Sequence, residues 1–373
     1  HATLVPDEAE RFADSIMVGY AEPLWQSIVR DAERGHLKKR YVQDKTEPYD
    51  YVSPRREIFG ERKYLPMGTI ETGRGCPCHC NFCSIAAATS SHYYPRPIEG
   101  VVADLGAIRR KVVFFVEDNF VGNPKHAKDL CKAITPLKTK WIGQGSLTMA
   151  KDDKLLEAMA ESGCMGVLIG FESLRPDTLK LMDKEFNVTM GDFKAIIKKI
   201  HSFGIALYGT FIFGYDSESA KDIVSTAEKA IEFGLFIGAF NPLIPFPGTP
   251  LYEQFQRNDR LTDEAWWLSP SFRFGDVPFN PLNITAKELH EQCIAARKKF
   301  YSFPGIIKRA KNISGNCNTL TKAGAFFWLN NLLRKEIRQK DRIPLGDNTF
   351  RPTPEGIDRK KGLHELPVQV PAR

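Results

Sequence analysis

Between Pro66 and Pro250 the chain repeats one rhythm: a short run of β-branched or aromatic residues, then a helical pattern, then the next short run. Runs spaced in this way form parallel strands, because a parallel neighbour is reached only through a crossover, usually a helix. Six strands are expected, at Met67–Glu71, Val112–Val116, Trp141–Leu147, Gly166–Phe171, Ile205–Phe213 and Gly238–Pro245. The stretches between them set apolar residues at i, i+3 and i+4, as in Phe193, Ile196, Ile197 and Ile200, or Leu155, Leu156 and Met159. Gly163, Gly204 and Gly234 stand at three successive helix-to-strand junctions, where a left-handed cap turns the chain directly into a strand. The fold class is α/β, a parallel sheet wrapped by helices.

A chain of 373 residues, 42% hydrophobic and 26% charged, has an ordinary globular composition. No apolar run approaches the roughly 18 residues that cross a bilayer. Charge is uneven: residues 294–373 hold 17 Lys plus Arg against 6 Asp plus Glu, a net +11 in a chain whose total is +7, so the residues before them are acidic on balance. A basic tail suits nucleic acid, an acidic substrate or an anionic membrane surface, or is simply a solvated face. Phosphate-binding loops, nucleophile elbows and His-Glu-x-x-His motifs are absent from the sequence, which removes support for nucleotide hydrolysis, ester hydrolysis and zinc proteolysis.

The first strand leads into Gly-Cys-Pro-Cys-His-Cys-Asn-Phe-Cys-Ser, residues 75–84, where Cys76, Cys80 and Cys83 form a Cys-x-x-x-Cys-x-x-Cys array. Three thiolates in one short loop can hold three irons of a 4Fe-4S cluster and leave the fourth iron without a protein ligand. Cys78 shares the loop, which leaves structural zinc or an all-cysteine cluster open, although structural zinc usually pairs two knuckles and no second one is present. Cys131, Cys164, Cys293 and Cys317 are scattered singly, as small buried hydrophobes are. A chain this long buries a core without disulfides, and reduced thiols point to a cytoplasmic compartment.

The cysteine spacing, with Phe82 just before the third cysteine, resembles the signature of the radical S-adenosylmethionine (radical SAM) superfamily. The resemblance implies a partial (βα)6 TIM-like barrel with its chemistry at the C-terminal ends of the strands. It implies a 4Fe-4S cluster whose open iron chelates SAM, and whose electron cleaves SAM to methionine and a 5′-deoxyadenosyl radical. Further motifs follow in order. Glu117-Asp118-Asn119, after the second strand, resembles the polar segment near the SAM amino group, with Glu117 or Asp118 as the acceptor. Gln144 and Ser146 on the third strand point inward by period-2 alternation, toward SAM or substrate. Gly170-Phe171-Glu172-Ser173 resembles a Gly-x-Glu-Ser signature, with Glu172 and Ser173 facing the ribose or amino group of SAM. The segment from Gly209 to Tyr215 resembles the strand edge that recognises adenine, with Gly214 permitting close approach, although Ser217 stands where an acidic residue is common. The run from Pro245 to Tyr252 resembles the Pro-Gly-Thr turn of cobalamin-linked members.

Residues 1–40 read as a helix over Pro6–Ala13, a strand over Ser15–Gly19 and a helix over Pro23–Arg34, and resemble the end of the cobalamin-binding domain that precedes the barrel in that family. They are expected to be a truncated doubly wound remnant, the rest lying upstream of His1, with Phe12, Ile16, Val18, Leu24, Trp25 and Ile28 packed on the barrel. A linker is expected over 41–65, the barrel over 66–258, and a basic helical domain over 259–373 that covers the substrate mouth, with helices at Ala286–Tyr301 and Thr321–Gln339. Together these features imply cleavage of SAM for cobalamin-dependent methylation of an unactivated carbon. The alternatives are a non-methylating radical rearrangement or cyclisation, or an iron-sulfur protein that transfers electrons or binds nucleic acid. Expected partners are a small-molecule or lipid-like substrate and a one-electron reductant such as flavodoxin or ferredoxin, with no nucleic acid. The aromatic front and basic back of residues 321–340 also suit peripheral membrane contact.

Overall fold

The computed structural model describes residues 1–44, 51–59, 67–108 and 110–344. An N-terminal unit opens the chain: α1 (Pro6–Ala9), β1 (Ile16–Val18), α2 (Trp25–Glu33) and β2 (Arg40–Val42), with β1 and β2 paired parallel from Ile16 opposite Arg40 to Val18 opposite Val42. This is one βαβ unit, as a doubly wound remnant requires. The expected boundary after residue 40 cuts through β2, since Tyr41 pairs with Met17 and is buried. About half of the expected linker, residues 45–50 and 60–65, lies outside the described residues. Ile16 is buried, whereas Phe12 and Trp25 are exposed and do not pack on the barrel as expected.

The barrel follows as β3 (Met67–Ile70), a ribbon of β4 (Gly73–Gly75) and β5 (Tyr93–Pro95) around α3 (Ser84–Thr89), then α4 (Ile98–Ala107), β6 (Val112–Phe115), α5 (Pro124–Ile134), β7 (Lys140–Gly145) and α6 (Asp153–Glu161). It continues with β8 (Cys164–Glu172), α7 (Pro176–Leu181), α8 (Glu185–Val188), α9 (Phe193–Ser202), β9 (Ala206–Phe213), α10 (Ala220–Glu232), β10 (Ile237–Pro242) and α11 (Pro250–Arg257). Six strands pair in the order β10-β9-β8-β7-β6-β3, every pair parallel. Neighbours in the sheet follow one another in sequence apart from the β4–β5 ribbon, so each crossover helix returns beside its own strand, and the edge strands β3 and β10 are not paired with each other: a barrel open on one side. Gly163, Gly204 and Gly234 all have positive φ, at +98°, +76° and +72°. At Gly163 a Cβ would stand 2.3 Å from the Thr139 carbonyl oxygen, so only glycine fits.

Burial of a continuous core fixes this arrangement. An aromatic row crosses the sheet, with Phe115 stacked on Trp141 at 4.6 Å, Phe171 on Phe211 at 5.5 Å and Phe211 on Phe240 at 5.3 Å; Phe300 closes on Phe240 at 5.3 Å. Each ring is fully buried. A fully buried large apolar side chain contributes roughly 1.5–3 kcal/mol.

The C-terminal helices are α12 (Ala286–Phe300), α13 (Phe303–Ala310), α14 (Ile313–Asn316) and α15 (Leu320–Gln339). Two of them, α13 and α14, are too short to show an apolar repeat, and each is started by a side-chain cap, Ser302 and Asn312. Of these, α12 reaches the mouth, with Leu289 against Gly214, whereas α13, α14 and α15 do not cover it as expected. Arg309 donates to the carbonyls of Leu235 and Phe236, Asn312 and Asn316 to Gly234, and Lys322 to Gly204, all in turns that enter strands from below. They therefore grip the N-terminal ends of β9 and β10. The N-terminal unit and residues 260–280 flank the other end: Leu4 abuts Gly248, Trp267 donates to Glu8 at 3.0 Å, and Trp266 donates to the Pro245 carbonyl at 3.2 Å.

Candidate functional site

The cysteine loop joins β4 to α3 at the C-terminal end of β3. Gly75 starts it at φ +80°, and a Cβ there would stand 2.1 Å from the His92 carbonyl oxygen. Asn81 pins its middle: the amide donates to Leu181 O at 2.7 Å, the side-chain oxygen accepts from the Tyr215 hydroxyl at 3.0 Å, and the carbonyl accepts from Leu251 N at 3.1 Å. The segments that follow β8, β9 and β10 thus hold one loop in place.

The surroundings of the sulfurs favour the thiolate at Cys76 and the thiol at the other three. Hydrogen bonding from the Cys78 thiol brings Cys76 down to about 6, and the Asn119 amide donates to its sulfur at 3.4 Å. The same bond, with burial, pushes Cys78 up, so Cys78 remains the protonated donor. Burial pushes Cys80 up to about 11, opposed by the Lys184 cation. Burial also raises Cys83, which caps α3, opposed by the N–H groups of Ala86 and Ile85. Among the described residues no three His, Cys, Asp or Glu side chains close around one point. That is unlike the tight tetrahedral shell of structural zinc, with sulfurs at about 2.3 Å from the ion. A four-iron cluster spreads its cysteines over the corners of a larger body, and a donor set of three cysteines on one loop, beside an amide donor and a buried ammonium, fits it.

Around the loop the structure gathers most of the expected residues. Asp118 accepts from Gly75 N at 2.9 Å and braces the loop; burial raises its pKa, opposed by that N–H and by Arg74. Glu117 is 2% exposed and meets the Thr72 hydroxyl; burial, then Asp118 and Glu71, hold its pKa well above the carboxylate range. Its environment favours the protonated form. Its Oε1 and the Asn119 Oδ1 are buried without a hydrogen-bond partner. Gln144 donates to the Glu117 carbonyl at 3.1 Å, and Ser146 pairs with Thr148 at 2.6 Å, turned into the short helical turn after β7.

At the end of β8 the pairing with β9 slips between Gly170 and Glu172, and Glu172 takes φ +61°, rare for a residue with a side chain. A Cβ on Gly170 would meet Glu172 Oε1 at 2.0 Å, so the glycine makes room for this turn. Lys184 fixes the carboxylate at 3.1 Å, and its ammonium lies 6.0 Å above the Phe82 ring. Burial works against the Lys184 charge, but Glu172 and the nearby sulfurs more than offset it and leave its pKa raised. Ser173 donates to Glu218 at 3.2 Å, and Glu218 also accepts from Gly214 N and Tyr215 N at 3.0 and 3.3 Å. Burial, opposed by those two N–H groups and Ser173, pushes Glu218 up to about 7. The acidic residue expected at Ser217 therefore stands one position later. The space beside the Gly214 Cα, expected to admit adenine, is taken by Leu289 and Phe279 of the chain itself, each within 3.1 Å of a built Cβ.

Three residues escaped the sequence reading: Asn119, Lys184 and Glu218. Only Asn119 carried a signal, as the third member of the polar run after β6.

Residues 70–230 match the family model of the radical SAM superfamily. It is 29% identical over 320 residues to bacteriochlorophyllide d C-12(1)-methyltransferase of Chlorobaculum tepidum, covering 83% of this chain and 69% of that one. It is 25% identical to bacteriochlorophyllide d C-8(2)-methyltransferase of the same organism, covering 71% of this chain and 63% of that one. The structure of the cobalamin-dependent SAM radical enzyme OxsB, with aqua-cobalamin and SAM bound, superposes with a TM-score of 0.59 at 15% identity, covering 93% of this chain and 63% of that one. The likeness to OxsB establishes the fold. The chain thus spans roughly two thirds of the length of each.

Proposed function

We propose that this barrel performs the radical step of a methyltransferase acting on an unactivated carbon of a small organic molecule. The observation that carries the reading is the loop of Cys76, Cys80 and Cys83 at the strand ends, with the Asn119 amide on Cys76 and the Lys184 ammonium beside it. In this reading the three cysteines ligate a 4Fe-4S cluster and Cys78 does not. A cluster held there would supply the one electron that cleaves SAM to methionine and a 5′-deoxyadenosyl radical.

The residues around it bind and orient. Asp118 holds the first turn of the loop through Gly75 N. The unpaired Oε1 of Glu117 and Oδ1 of Asn119 are the acceptors left for the SAM amino group. Glu172, held by Lys184, and Ser173, held by Glu218, face the ribose, and Gln144 supports the floor beneath. Phe82 and the docked N-terminal unit exclude water from the loop. A cavity of about 940 Å³ lined by Trp266, Phe272, Val277, Lys287, His290 and Lys298 flanks the same end and is large enough for a sizeable substrate.

The methylation reading rests on the named reactions of the relatives, and the donor would be cobalamin. The described residues do not enclose one: the seam between the N-terminal unit and the barrel, lined by Gly19, Tyr20, Gln43 and Tyr94, holds about 70 Å³. The second reading is a radical rearrangement or cyclisation without methyl transfer. Anaerobic reconstitution with iron and sulfide, followed by SAM and dithionite, tests both. Formation of 5′-deoxyadenosine is expected, and its absence would leave only an electron-transfer role. Transfer of the SAM methyl group to a product on addition of hydroxocobalamin separates the first reading from the second.

A further inference from the structure

Far from the strand ends that carry the cysteines, one face of the C-terminal helices stands uncovered. Phe303 and Ile307 on α13, Ile313 before the first full turn of α14, and Leu320, Trp328 and Leu332 on α15 are 58, 55, 65, 94, 65 and 41% exposed. Single exposed apolar residues are ordinary, but these belong to helices packed on each other around Ile306, Phe326, Ala310 and Leu329. Their outer faces therefore join. The Arg334 guanidinium, 3.9 Å above the Phe303 ring, bridges α15 to α13.

Charge on the helices of this face is nearly all positive, and the α10 carboxylates nearest Lys308, Glu228 and Glu232, are already paired with Lys299 and Lys194 at 2.8 and 2.5 Å. Lys308, Lys311, Arg334, Lys335, Arg338 and Lys340 are exposed, and between residues 303 and 340 the only carboxylate is Glu336, paired with Lys340 at 3.0 Å. A second copy docked on the same face would set these cations against themselves, as a two-fold interface brings each residue near its own equivalent. An anionic bilayer instead offers apolar depth to the Trp, Phe and Leu side chains and diffuse negative charge to the rim. No described helix is long and apolar enough to cross a membrane, so the contact is with its surface.

We propose that the α13–α15 face seats the protein on an anionic lipid bilayer, with Phe303, Trp328 and Leu332 at the acyl boundary and the six cations at the headgroups. Because these helices grip the N-terminal ends of the strands, the cysteine loop then faces away from the membrane. The test is co-sedimentation of the full chain with phosphatidylcholine vesicles, with and without phosphatidylglycerol. Binding is expected only with phosphatidylglycerol, and is expected to fall with added salt. Lys308→Gln and Lys335→Gln should each weaken it about fivefold, and Trp328→Ser should weaken it further. All three side chains are exposed, so folding and melting temperature should not move. Equal binding to both vesicles, no binding to either, or binding untouched by these substitutions would overturn the proposal. So would a concentration-dependent dimer that Trp328→Ser dissolves, which would make the face a protein interface.

Discussion

At the N-terminal ends of the strands the buried polar groups are donors aimed at backbone carbonyls. Arg309, fully buried, gives four hydrogen bonds, to Leu235, Phe236 and Phe300 carbonyls and to Asn330 Oδ1, all between 2.8 and 3.1 Å. At the C-terminal ends they are acids whose charge the fold resists: Glu117, Asp118 and Glu218 are all raised by burial. The first end closes turns that would otherwise leave carbonyls stranded. The second keeps protonatable groups and unpaired acceptors beside a thiol loop, where stability is given up for chemistry.

The largest effect that could break this contrast concerns metal. Cys76→Ala, Cys80→Ala and Cys83→Ala should each abolish iron retention after reconstitution, whereas Cys78→Ala should keep most of it, as measured by iron and sulfide content. Equal loss in all four would make Cys78 a ligand. Next in size, Arg309→Leu should destabilise the fold by about 3–5 kcal/mol in urea denaturation, because buried carbonyls lose a charged donor. Iron retention by the folded fraction should be unchanged, since the substitution lies at the other end.

The smallest expected effect sharpens the comparison through pH. Glu218 has a folded pKa of about 7 against an ordinary value of 4.5. The folded state therefore holds its proton more tightly than the unfolded state. Its contribution to stability is complete below about pH 4.5, declines as pH rises to about 7, and is flat above. The loss amounts to about 2–3 kcal/mol. Glu218→Gln should remove that slope, seen as a smaller difference between unfolding free energies at pH 5 and pH 8. An unchanged difference would place the proton elsewhere.

All six barrel strands were legible in the sequence because each carries a β-branched or aromatic run between glycine-marked junctions, a local signal. Their ends shifted by one to three residues. Ser146 and Leu147 leave β7 for a helical turn, and β8 begins at Cys164, before the run that marks it. The cysteine loop was legible for the same reason: its ligand set is contiguous. Lys184, Glu218 and Arg309 were not, because each acts on a group distant in sequence. Lys184 meets Glu172 from the α7–α8 turn, and Glu218 meets Ser173 across 45 residues. Which way the C-terminal helices fold back was equally invisible, since the capped carbonyls carry no side-chain signature. The slip in β8 that turns Glu172 inward follows from backbone pairing rather than composition.

The long-range caps also set an order of assembly. Arg309 reaches back 74 residues to Leu235, and Lys322 reaches back 118 to Gly204. During synthesis, β9 and β10 emerge well before the side chains that close the turns beneath them. Contacts that span so much chain form late, after the loop-closure entropy has been met. The last helices are thus the bolt of the barrel rather than its lid, and a nascent chain that stops short of α13 holds the whole cysteine loop on an unlatched sheet.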